Sequence, residues 1–142
     1  MTPDSLALVA LILLLFNMMY FQITSPTFLL VSLEIPTVTF LLRGQFWYYF
    51  LSLSVAAVIA TLAFAVSGRP IVAAGIAAIA AYAVFSRKWF CSHMDAELAA
   101  RDSGDRQAVR RLRRLHWAGM LSHAIFFIAV LTSIPYLNLF AA

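Results

Sequence analysis

Apolar positions dominate this chain, and a few polar breaks divide them into four long runs, at about 6–24, 45–67, 71–90 and 116–137. Each is close to the roughly 17–25 residues that carry a helix across the hydrocarbon of a bilayer. Pro3 and Asp4 suit a helix start. No Lys or Arg precedes the first run and no small-residue cleavage site accompanies it, so it reads as a retained span and not a signal peptide. Asn17 and Gln22 are its polar positions, suited to interhelical hydrogen bonds or headgroup contacts.

The stretch 27–43 is apolar but short, and it contains Glu34 and Pro36. A carboxylate at bilayer depth is costly, and proline breaks the helical hydrogen-bond ladder. The expectation is that helix one continues past Pro26, bends near Pro36 and ends as an interfacial segment at Arg43-Gly44, with a full extra span as the alternative. The second run opens on Phe46, Trp47, Tyr48, Tyr49 and Phe50, an aromatic cluster of the kind found at membrane–water boundaries. Gly68-Arg69-Pro70 predicts a tight turn. The third run is rich in alanine around Gly75, and small residues three and four apart let helices approach closely, which places helix three at the centre of the bundle. Ser86-Arg87-Lys88-Trp89 marks its exit. Residues 91–115 read as a polar loop, with Asp102, Ser103 and Asp105 as N-cap candidates, leading into a helix from Arg106.

That last helix changes phase character without a break. Taking 100° per residue from Leu112, Ala108, Val109, Leu115, Gly119 and Val130 fall within about 60°. Arg106, Arg110, Arg111, Arg113 and Arg114 fall on the other side, as in an amphipathic helix whose arginines face lipid headgroups or cytosol. His116 and His123 lie on the apolar stripe.

Composition agrees with this pattern. The chain is 63% hydrophobic and 11% charged, against roughly 25% charged in soluble domains. That leaves too little polar surface for a water-soluble globule. The predicted fold is all-α, an integral membrane four-helix bundle with a basic amphipathic lead-in to its last helix. Eight of the ten basic residues lie between Arg87 and Arg114. Flanked by apolar spans, they point to membrane lipids with anionic headgroups and not to nucleic acid, for which no motif is present. Basic loops stay in the cytoplasm, so loop 87–114 is expected there, with both termini outside, in a multi-pass arrangement such as a bacterial inner membrane protein adopts. One cysteine, Cys91, excludes an internal disulfide and any cysteine-based metal cluster; it reads as a semi-buried free thiol.

Ionisable groups inside a membrane bundle are candidates for function. Glu34, His116 and His123 are the candidate catalytic residues, His123 a candidate haem ligand, and Glu34, His93 and His116 a candidate metal set of carboxylate and imidazole type. His116 and His123 are seven residues apart, roughly 10.5 Å along a helix, and cannot share one ion. The alternatives are structural: His116 as an interfacial anchor, His123 as a hydrogen-bonded core histidine, and Glu34 paired with Arg43 or an arginine of the last helix. No CxxCH, HExxH, glycine-rich phosphate loop or nucleophile elbow is present, and no cofactor is specified.

Ser25-Pro26 after helix one, the acidic–proline pair in Glu34-Ile35-Pro36, and Arg110-Arg111-Leu112-Arg113-Arg114-Leu115-His116 leading into the last of four spans form a recognisable layout. It resembles small four-helix integral membrane proteins of the anthrone-oxygenase-like type. Where that group would have Pro-x-Asn after the third helix, this chain has Ser86-Arg87-Lys88-Trp89. The resemblance implies the four-helix fold, and no catalytic residue is carried over from it. The expected function is a non-catalytic subunit, assembly factor or scaffold working with other membrane protein subunits. The alternative is a membrane-embedded metal- or haem-dependent oxidoreductase acting on a hydrophobic substrate.

Overall fold

Proline sits in the first turn of three of the four long helices, where its missing N–H needs no partner and its fixed φ suits the helix. A computed structural model describes residues 2–137. Helix α1 is Pro3–Thr24, α2 is Pro36–Val66, α3 is Pro70–Asp102 and α4 is Ala108–Ser133; short 3-10 turns occupy Ser25–Leu29 and Ile134–Leu137. All four helices are long and apolar enough to cross a membrane. Met1 and residues 138–142, on which the expected position of the chain ends depends, lie outside the described residues.

Glycine stops two of the helices in the same way. Gly68 and Gly104 adopt φ of 76° and 97°. After α2, Arg69 N bonds to Phe64 O and Gly68 N to Ala65 O; after α3, Asp105 N bonds to Ala100 O and Gly104 N to Arg101 O. These are Schellman closures, which need a left-handed residue at the position that glycine fills.

Three boundaries differ from the sequence expectation. Helix α1 does not continue past Pro26 as a long helix: it gives way to the 3-10 turn at Ser25 and to an irregular segment at 30–35. Helix α2 starts at Pro36, so 36–43 forms its first turns and is not a separate interfacial segment. Helix α3 runs through the predicted exit to Asp102, which shrinks the expected loop to residues 103–107. Hydropathy marks where a chain leaves lipid, whereas hydrogen bonding marks where a helix ends, and here the helices outlast the apolar runs.

The helices pack in sequence order, α1 on α2, α2 on α3 and α3 on α4, and α4 closes against α1. The core lies among them. Helix α2 supplies Leu42, Phe46, Phe50, Leu53 and Phe64, all fully buried, and α3, expected at the centre, is one of four helices around the core. On α3, Ala73, Ala80 and Ala83 are buried, but Ala74, Gly75, Ala77, Ala78 and Ala81 are exposed. The aromatic cluster is also divided. Phe46, Tyr49 and Phe50 are core residues at i, i+3 and i+4, whereas Tyr48 faces outward and Trp47 is half-buried.

Phe46 packs edge-on or tilted against Phe21, Phe50 and Phe90, with ring centroids 5.4–5.9 Å apart. Gly119 of α4 lies against the same ring. Trp47, Trp89 and Trp117 flank this layer within two residues of Phe46, Phe90 and Gly119, so the three tryptophans share one level of the bundle. From Trp47 to Val66 and from Pro70 to Trp89 the helices rise about 28 Å. On the other side of that level, α2, α3 and α4 extend further as a helical collar. The end opposite the collar is tied by an ion pair between Asp4 and Arg69.

Candidate functional site

Both histidines of α4 are completely buried, as their place on the apolar stripe requires. His123 Nε2 lies 3.0 Å from the Met18 carbonyl of α1. A carbonyl only accepts, so Nε2 carries the proton of the neutral ring and Nδ1 is the acceptor. The Tyr49 hydroxyl of α2 donates to that Nδ1. The Phe21 ring packs edge-on to the imidazole at 5.0 Å and stacks on Tyr49 at 4.0 Å. This locks three helices around one imidazole with both of its nitrogens bonded.

His116 has a different setting. Its Nε2 is 2.8 Å from Ser25 Oγ at the start of the 3-10 turn, and its ring meets Phe46 edge-on at 5.9 Å. Its Nδ1 is buried without a partner among the described residues. The two imidazoles thus belong to two separate sites.

The Glu34–His93–His116 set is not assembled. Glu34 is exposed on the segment joining α1 to α2. His93 is exposed on α3, stacks on Trp89 at 4.1 Å and donates from Nδ1 to the Trp89 carbonyl at 2.8 Å. His116 is buried on the core face of α4. Among the described residues no three His, Cys, Asp or Glu side chains come together as a metal site. Nor does Glu34 take Arg43, which makes a two-pronged pair with Asp95 at 3.0 Å on each arm. Cys91 is a buried free thiol.

The five arginines assigned to headgroups divide into two groups. Arg106, Arg110 and Arg114 are exposed. Arg111 is held between Glu97 at 2.7 Å and Asp105 at 2.6 Å. Arg113 donates to the carbonyls of Leu29 at 3.0 Å and Val31 at 3.2 Å. Arg101 of α3 acts alongside it, donating to Thr39 Oγ1 at 2.7 Å and to Leu33 O at 3.4 Å. Arginines from α3 and α4 therefore satisfy three carbonyls of the α1–α2 connection. Asp105 receives the Arg111 guanidinium and, at 2.8 Å, the Gln107 N–H, which hold its carboxyl below the usual carboxylate range.

Tyr49 is the site residue that the sequence reading missed, because the cluster 46–50 was taken by composition as a boundary. The spacing of Leu42, Phe46, Tyr49, Phe50 and Leu53 places them on one helix face and would have identified it.

The outer surface has one further feature. Ala74, Ala78 and Ala81 form a line on α3 with Gly75 and Ala77 beside it, all exposed. A cavity of about 340 Å³ adjoins this face between α3 and α4, with Gly75, Ala78, Phe126 and Ala129 among its walls. No protein-family model, curated protein or solved structure matches the chain.

Proposed function

We propose that this protein is a non-catalytic subunit, assembly factor or scaffold of a larger membrane complex, and that it meets its partner through α3. The observation carrying this reading is the outward small-residue face of α3 beside the α3–α4 cavity. Small side chains pack poorly against lipid tails but let a second helix come close enough for extensive van der Waals contact. The bundle uses the other side of α3 for its own packing, so this face is left for a helix of another chain.

The tryptophan level is the membrane boundary on one side, since Trp and Tyr favour the headgroup layer. The 28 Å of helix beyond it matches a hydrocarbon core of roughly 30 Å. The collar then projects into the cytoplasm, in line with the seven basic residues it carries, Arg43, Arg101, Arg106, Arg110, Arg111, Arg113 and Arg114. Arg106, Arg110 and Arg114 meet anionic headgroups there, each contributing about 1 kcal/mol.

A photocrosslinking side chain at Ala78, in native membranes and at native expression, is expected to give one discrete adduct with a different polypeptide. The same group at Ile125, which is exposed on α4, is expected to give lipid adducts only. Ala78→Ile is expected to reduce co-purification of that polypeptide at least tenfold while the purified chain keeps its helical spectrum. Lipid adducts alone from Ala78, or adducts only with a second copy of this chain, contradict the reading. Stoichiometric metal or a visible chromophore in the purified protein would favour the oxidoreductase alternative instead.

A further inference from the structure

Two cavities run along the seam between α1 and α2, of about 770 Å³ and about 460 Å³, and Tyr48 and Ser52 are walls of both. Together they make one groove on the outside of the bundle, each part in the size range of small-molecule sites. Among the described residues no charged side chain lines either part.

The hydrogen bonds in the groove have a fixed direction. Thr24 Oγ1 donates to the Tyr20 carbonyl at 2.9 Å, so it accepts from Gln45 Nε2 at 2.7 Å. Ser52 Oγ donates to the Tyr49 carbonyl at 2.9 Å, so it accepts from Asn17 Nδ2 at 2.7 Å. Flipping either amide would set oxygen against a hydroxyl oxygen whose proton is already used. The free ends of the two amides are therefore Gln45 Oε1 and Asn17 Oδ1. Both are buried, and neither has a partner among the described residues. A buried acceptor without a partner calls for a donor from elsewhere.

We propose that this groove binds an uncharged, lipid-soluble aromatic hydroxyl compound, a phenol or hydroquinone with an apolar tail. Two unmet acceptors and no cation select a neutral donor. Tyr20, Phe28, Phe40 and Tyr48 line the wider part around Gln45 and favour a flat ring there. The ring hydroxyl donates to Gln45. The tail lies along Leu13, Val55 and Ile59 in the narrower part, where Asn17, two helical turns on, serves a second donor on a longer ligand. Phe40 and Leu41 are exposed at the collar end of the groove, so the ligand comes in from the boundary of headgroups and acyl chains. The groove is lined by α1, α2 and the 3-10 turn between them, and its occupancy stands or falls independently of the α3 contact.

The full chain in nanodiscs of neutral phospholipid tests this, with a decyl hydroquinone, the corresponding quinone and a monoacylglycerol as probes and intrinsic fluorescence as the readout. The hydroquinone is expected to bind saturably with one site per chain, at least tenfold tighter than the quinone, which has the same tail but no donor. Gly44 lines the groove, and a Cβ there meets nothing within 4 Å. Gly44→Leu is therefore expected to keep the fold and abolish binding. Gln45→Leu is expected to bring the preference for hydroquinone over quinone below threefold. Four results overturn the proposal: equal binding of the two forms, a monoacylglycerol as tight as the hydroquinone, binding unaffected by Gly44→Leu, or no saturable binding.

Discussion

Gly119 is where α4 lies directly against the Phe46 ring of α2. A Cβ at this position would lie 2.7 Å from Phe46 Cζ, and Phe46 has no room to retreat because Phe21, Phe50, Phe90 and His116 surround its ring. Gly119→Ala is expected to destabilise the bundle by about 1–3 kcal/mol, the usual effect of overpacking, seen as a lower midpoint of unfolding in detergent; an unchanged midpoint would show that the two helices are further apart. The inward direction of His116 and His123 was legible from helical phase alone, because a 100° step depends only on spacing. Their partners were not. Tyr49, Met18 and Ser25 come from other helices, and no local pattern says which residues will face them. Asp105 belongs to this scale too. Its folded pKa is depressed by Arg111, so the stabilisation from the pair is fully present above the unfolded carboxylate value and is lost as pH falls through the lower folded value. Carboxyl chemical shifts followed against pH are expected to place the Asp105 midpoint below that of an ordinary aspartate, and Arg111→Gln to move it back up.

At the scale of elements, the connection between α1 and α2 depends on the other two helices. Arg113 bonds two of its carbonyls, and Arg101 bonds a third together with Thr39. Hydrogen bonds from charged donors contribute about 1.5–3 kcal/mol when shielded and less in the open. Arg113→Gln is expected to raise amide exchange across 30–35 about tenfold, equivalent to about 1.4 kcal/mol, while exchange in the core of α2 is unchanged. Protection equal to that of the unsubstituted chain would mean that the segment holds its shape without the arginine. The sequence made the four apolar runs plain but misjudged what lies between them. Glu34 and Pro36 looked like a problem for a buried segment. The carboxylate is solved by exposure on the turn, and the proline by a place at the start of α2, where it breaks no ladder. Likewise Arg87 and Lys88 announced an exit from lipid, and α3 continued because its side chains remained helix-compatible to Gly104, where the left-handed stop occurs.

For the whole molecule, the bundle combines a lipid-length part with a charged collar of unequal sides. The α1–α2 side of the collar shows Leu30, Ile35, Phe40 and Leu41, whereas the α3–α4 side shows Lys88, His93, Asp95, Arg110 and Arg114. In the proposed arrangement such a collar would rest one edge in the headgroup layer and present the other to water, which would bring the α1–α2 groove to the acyl boundary and leave the α3 face in the hydrocarbon. Everything in this arrangement depends on the tryptophan level being the membrane surface. Single nitroxide labels on exposed positions of α3, in a Cys91→Ser background in lipid bilayers, measure this by collision with oxygen and with a water-soluble nickel complex. A surface at the tryptophans requires labels at Ala78, Ala81 and Phe85 to favour oxygen, a crossover near Trp89, and labels at Ser92, Ala96 and Ala99 to favour nickel. Labels at Ala96 and Ala99 as deeply immersed as that at Ala78 would contradict it.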